Sequence, residues 1–223
     1  MTTLHLGQIL SFDGSPFDEG PTAAWHERQG GLVVGDGRIL AVGPADAMRM
    51  SHPEAEVIDH GEGLIVPGFV DAHAHYPQTG MIASWGKRLI DWLNHYTFPE
   101  EMRFADPAYA RDVAGRYLDL LLANGTTSVC SFCTIHPHSV DALFEAAESR
   151  RMRVFAGKTC MDRDTAPEGL RDTAQGAYDD SKALLERWHG RGRASYVITP
   201  RFSPTSTPDQ LRALGALWAE NPG

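Results

Sequence analysis

The chain has 223 residues, enough for one domain or two small ones with an apolar core. Twenty basic against twenty-nine acidic side chains leave a formal charge of −9, which argues against a phosphate-rich polymer such as a nucleic acid as partner. The three cysteines do not make a disulfide framework, no uncharged apolar stretch approaches membrane-spanning length, and Met1-Thr-Thr-Leu-His shows no signal-peptide pattern; a cytoplasmic protein without a membrane partner is expected.

Residues 3–66 read as β structure with turns. Leu4 to Phe12 is a first strand ending in Asp13-Gly14-Ser-Pro. Gly31 to Gly43 forms a hairpin around Gly35-Asp36-Gly37, where glycine supplies the positive φ that such turns need. Ala45 to Met50 is a short helix and Glu56 to Asp59 another strand. This segment is either a small independent β domain or part of a sandwich.

After His75 strands and helices alternate, the pattern of a parallel sheet with helical crossovers. Ser84 to Tyr96 is at least partly helical and lid-like. Ala108 to Ala123 is an amphipathic helix with Leu118, Leu121 and Leu122 on its apolar face and Gly125 as its stop. Strands follow at Thr126–Phe132, Arg153–Lys158 and Ala194–Thr199, and helices at Val140–Arg150, Leu170–Trp188 and Pro208–Glu220. Cys130-Ser-Phe-Cys133 has redox spacing, but it lies within or at the end of a strand, away from any helix start that would lower a thiol pKa; a structural pair is the better reading.

The count of units matters. The fold class is α/β, a TIM-like barrel supplying about four of the eight strand–helix units that closure needs. Such a half leaves sheet edges open, so the sequence reads as a truncated copy or as one that pairs with another chain. The expected domains are a β-rich part, 1–66, and the first half of the barrel, 67–223.

One stretch organises the chemistry: Val66-Pro-Gly-Phe-Val-Asp-Ala-His-Ala-His75. Side chains alternate along a strand, so Phe69, Asp71, His73 and His75 share a face. Two imidazoles so placed can share one metal ion, although an isolated His-x-His pair serves equally well as pocket or surface histidines. The Pro-Gly turn feeding the strand, the aspartate on the same face and the preceding β segment favour a metal site at the end of a barrel strand.

Pro67-Gly-Phe-Val-Asp-x-His-x-His resembles the first barrel strand of the amidohydrolase superfamily. The continuation, His75-Tyr-Pro-Gln78, Ile90-Asp-Trp-Leu and Tyr96-Thr-Phe-Pro-Glu100, resembles the guanine deaminase family within it. Asn124-Gly-Thr-Thr, Thr134-Ile-His136, Gly157-Lys-Thr-Cys-Met-Asp162 and Ile198-Thr-Pro-Arg-Phe202 follow in the same order. The resemblance implies that 1–66 is the N-terminal part of a β-sandwich, completed by strands from beyond the barrel. It also implies one Zn2+ per site held in part by His73 and His75, and hydrolytic deamination of guanine to xanthine and ammonia. A cytoplasmic homodimer is expected for the complete protein.

Gln78 offers donors and an acceptor to a purine edge, although a loop glutamine is more often solvated. Arg201 presents a planar fork to a carbonyl and ring nitrogen, and Phe202 can stack on a base, although a solvated arginine beside a core phenylalanine is the commoner pairing. The resemblance turns all three toward substrate binding. Asp71 is read as orienting the site, Trp85 as roofing or packing it, and His136-Pro-His138 as a decoy for metal binding, with proline breaking strand alternation and a pocket-lining role left open to His136. No catalytic carboxylate is assigned within the chain; those are expected beyond Gly223. Two other readings stand beside this one: an amidohydrolase for another aminated heterocycle, and a non-catalytic half-barrel interaction module.

Overall fold

The computed structural model describes residues 1–86 and 88–222. It divides into two compact units, Met1–Pro67 and Gly68–Gly223. Among the described residues no helix is long and apolar enough to cross a membrane.

In the first unit β1 (Thr2–Phe12), β2 (Ala24–Gly35), β3 (Arg38–Pro44) and β4 (Glu56–Ile65) form one sheet in the order β3-β2-β1-β4. Antiparallel β2 and β3 are joined through Asp36 and Gly37, at φ 50° and 73°. Two consecutive positive φ values match a turn whose twist suits a hairpin. A four-residue helix, α1 (Pro16–Glu19), and α2 (Ala45–Ser51) decorate the sheet. Leu4, Leu6, Val33 and Ala55 make its core, with Met48 of α2 packed on them. β1, β2 and β4 run further than the sequence suggests. β2 begins at Ala24 because Ala24 to Glu27 pair with the far half of β1, and the polar run His26 to Gln29 shows no alternation from which to read this.

In the second unit β5 (Phe69–His75), β6 (Thr126–Phe132), β7 (Arg153–Gly157) and β9 (Ala194–Tyr196) form a parallel sheet in that order, with β8 (Thr159–Cys160) and β10 (Thr199–Pro200) paired beyond its end. The helical connections are α3 (Leu89–Trp92) and α4 (Phe98–Met102) joined by a π turn at Leu93–Thr97, then α5 (Pro107–Ala123), α6 (Pro137–Arg150), α7 (Ala174–Trp188) and α8 (Pro208–Glu220). This is the expected α/β architecture, with half the units of a closed barrel. Val113, Leu118, Val129, Leu143, Val154 and Leu184 are fully buried between sheet and helices.

Three expectations needed correction. The two strands expected at Arg153–Lys158 and Ala194–Thr199 each break into two. The Val197 carbonyl approaches Gly157 so closely that a Cβ there would stand 1.7 Å from its oxygen, and the ladder resumes only at Thr159 and Thr199. The helix expected from Leu170 starts at Ala174, where the Thr173 hydroxyl accepts the Gly176 N–H at 2.9 Å; Leu170 instead packs with Leu93, Phe98 and Met161. Leu122 is 38% exposed. At about 100° per residue it lies off the stripe carried by Ala110, Val113, Ala114, Tyr117 and Leu118. Part of the lid-like segment, Lys87, falls outside the described residues; Ser84 to Gly86 are not helical.

Candidate active site

His73 and His75 end β5, and their rings meet edge to face with centroids 5.2 Å apart. Strict alternation does not deliver them there. The register with β6 slips between Asp71 and Ala74, and Asp71 Oδ1 accepts the His73 backbone N–H at 3.1 Å, so the aspartate holds an irregularity in the strand. His75 stacks on Phe132, at the end of β6, with centroids 4.7 Å apart and rings 8° from parallel. Burial lowers the His75 pKa to about 4, with the charges of Arg201 and His73 acting in the same direction. A neutral imidazole with a free lone pair is what a metal requires. Two histidines are what this stretch offers: among the described residues no group of three or more His, Cys, Asp or Glu side chains is placed to hold a metal ion.

The chain then turns into a short 3-10 helix, Tyr76–Met81. The Tyr76 N–H donates to Ser131 Oγ at 3.0 Å and its hydroxyl to the Ser139 carbonyl at 2.6 Å. These bonds fix where Gln78 stands. His75, Gln78, Met81, Trp92 and Tyr117 line one groove of about 320 Å³. The other candidate substrate residues leave β10, where the Arg201 N–H bonds the Cys160 carbonyl at 3.2 Å.

Gln78 and Arg201 converge on a residue that no local pattern singles out. Glu101 on α4 is 1% exposed. Its Oε2 accepts Arg201 Nη1 at 2.5 Å, and its Oε1 accepts Gln78 Nε2 at 3.4 Å. The Arg201 guanidinium also lies over the Phe98 ring, 5.4 Å from the centroid. The adjacent Glu100 bonds Arg103 and the Tyr109 hydroxyl instead, so the acidic pair divides its tasks. Phe202 is half-buried against Leu93, Phe98, Met161 and Leu170. Trp85 is 71% exposed and packs no core.

His136 and His138 stack on each other with centroids 5.4 Å apart. His138 bonds the Phe104 carbonyl at 2.7 Å, which ties α6 to the segment before α5. His136 Nε2 is buried with no hydrogen-bond partner among the described residues, and burial lowers its pKa. Cys133 is wholly buried, and burial pushes its thiol pKa well up, as it does for Cys160, to about 11. Such thiols are poor nucleophiles.

A paired-histidine strand end, a parallel sheet of β/α units and a small β unit before it define a class. The chain belongs to the amidohydrolase family, whose model matches residues 64–221. A second model, described as an imidazolonepropionase-like composite domain of bacteria, matches residues 30–55. Within the family, the chain is 47% identical over 192 residues to the guanine deaminase of Escherichia coli K12, covering 86% of this chain and 44% of that protein. A probable guanine deaminase of Deinococcus radiodurans is 41% identical, with 98% and 51% covered. The crystal structure of guanine deaminase from Bradyrhizobium japonicum superposes with a TM-score of 0.93 at 39% identity, over 100% of this chain and 48% of that one. The chain thus spans about half the length of the curated relatives it matches.

Proposed function

We propose that this chain contributes the first part of the active site of a zinc-dependent guanine deaminase, which converts guanine and water to xanthine and ammonia. One observation carries the reading: Gln78 and Arg201, the two polar groups suited to a purine edge, are gathered by one buried carboxylate beside the paired histidines. The relatives named guanine deaminase support the same substrate.

His73 and His75 fit a zinc ion in donor type, neighbouring placement and the neutral state of His75. A bound zinc ion supplies Lewis-acid activation of water. The rest falls to the chain's own side chains. Arg201 donates in parallel to the guanine carbonyl and to the unprotonated nitrogen of the five-membered ring beside it, Gln78 meets the neighbouring polar edge, and Phe202 packs against the base. Phe132 backs the His75 ring and limits its rotation. The acid/base carboxylates are assigned to the part of the enzyme outside these residues. The two units serve as part of a β-sandwich, 1–66, and the first half of a metal-dependent barrel, 67–223, in a cytoplasmic homodimer.

Guanine supplied to the enzyme that carries this chain should yield xanthine and ammonia in equal amounts, and faster than a triazine or an adenine-type base. Residues 1–223 alone should release no ammonia, since two histidines do not complete a hydrolytic zinc site. Preference for a different aminated heterocycle would sink the guanine assignment.

A further inference from the structure

Glu101 lies on α4, within a segment whose neighbours are structural, yet both of its oxygens point at candidate substrate residues. A buried carboxylate–arginine pair is often no better for stability than well-packed apolar groups, so its chemistry here calls for a different account. That chemistry is directional. A carboxylate accepts and does not donate, so the Gln78 amide must turn its nitrogen to Glu101 and its oxygen away. Arg201 is fixed likewise: Nη1 is held by Glu101, while Nη2 and Nε have no protein partner among the described residues. The fixed array is therefore one amide oxygen able to accept and two guanidinium nitrogens able to donate.

We propose that Glu101 is the positioning residue that selects which edge of the base enters. It presents the Gln78 oxygen to a ring N–H and the free Arg201 nitrogens to a carbonyl oxygen and ring nitrogen. The matching ligand is a 6-oxopurine, in which N–H and carbonyl are adjacent. A purine without the 6-oxo group has neither the carbonyl nor the adjacent N–H. This rests on the guanine reading above and deepens it: edge selection lies with a residue that does not itself touch the base.

The test compares guanine with 2-aminopurine, which keeps the reacting amino group and lacks the 6-oxo group, in the complete enzyme. Glu101→Gln should lower kcat/KM for guanine about thirtyfold and that for 2-aminopurine less than about threefold, so selectivity falls about tenfold. Adding Gln78→Ala to Glu101→Gln should hurt guanine turnover less than Gln78→Ala does in the parent, because the amide is already misdirected. Metal content should stay at the parent level, and Glu101→Asp should recover part of the selectivity. Equal losses on both bases, or unchanged selectivity in a folded Glu101→Gln enzyme, overturn the proposal while guanine deamination by the parent stands. Should Glu101→Gln not fold, Glu101→Asp decides by the same ratio, and failure of both to fold marks Glu101 as purely structural and overturns it too. A parent that leaves guanine untouched overturns the functional reading, and this proposal with it.

Discussion

Arg201 and Glu101 stand 100 residues apart in sequence and form an ion pair of 2.5 Å with side chains only 6% and 1% exposed. The pair ties the loop after β10 to α4, and it orders an arginine whose charge acts on His75. Breaking such a pair from one side leaves the other charge buried alone, which costs about 3–5 kcal/mol.

Arg201→Lys keeps the charge for Glu101 and loses the fork. It should leave folding and metal content near the parent while lowering kcat/KM for guanine by about 2–4 kcal/mol, roughly 30- to 900-fold. Arg201→Met should instead also lower the unfolding free energy by about 3–5 kcal/mol. Guanine turnover at the parent rate by the lysine variant would remove the fork from the mechanism.

His73→Ala and His75→Ala should each lose bound zinc and activity together, measured by elemental analysis on the complete enzyme. His138→Asn should keep its zinc, since His138 is engaged with the Phe104 carbonyl. Full zinc occupancy with either His73 or His75 replaced would show that β5 is not the metal strand.

His136 should report in the pH dependence of stability. Burial and the neighbouring His138 and Lys158 charges hold its folded-state pKa below 6.5. The unfolded chain therefore takes up the proton more readily. The stability that neutral His136 contributes is present above about pH 6.5 and is lost as pH falls through the folded value. The melting temperature of His136→Asn should accordingly fall less steeply than the parent's between about pH 7.5 and about pH 5.5. Parallel profiles for the two proteins would rule out His136 as the group responsible.

Lys158 offers a test of the unit's interior. It is 1% exposed, ion-paired with Asp172 and 3.7 Å from Asp180, while Gln210 Nε2 bonds Asp172 Oδ1 at 2.7 Å. Burial pushes the Asp172 pKa up, and Lys158 is the main force opposing that. Lys158→Met should lose about 3–5 kcal/mol in urea unfolding, and Lys158→Met/Asp172→Leu should recover most of it. A double variant as weak as the single one would place the loss in packing instead of charge.

The family motif around His73 and His75, the alternation of strands and helices, and the Asp36-Gly37 hairpin were all legible in the sequence. Each depends on residues within a few positions of one another: a strand's two faces, a helix's stripe, a turn's φ angles. Local periodicity could not show that β5 slips register between Asp71 and Ala74, or that β7 ends where the Val197 carbonyl meets Gly157. Glu101 is the clearest case. Its sequence neighbourhood is an acidic pair in a short helix, and nothing nearby distinguishes it from Glu100. Only the packing of α4 against the loop after β10 brings Arg201 to it across 100 residues, because a carboxylate acquires its role from whichever donors the fold delivers into the same buried space.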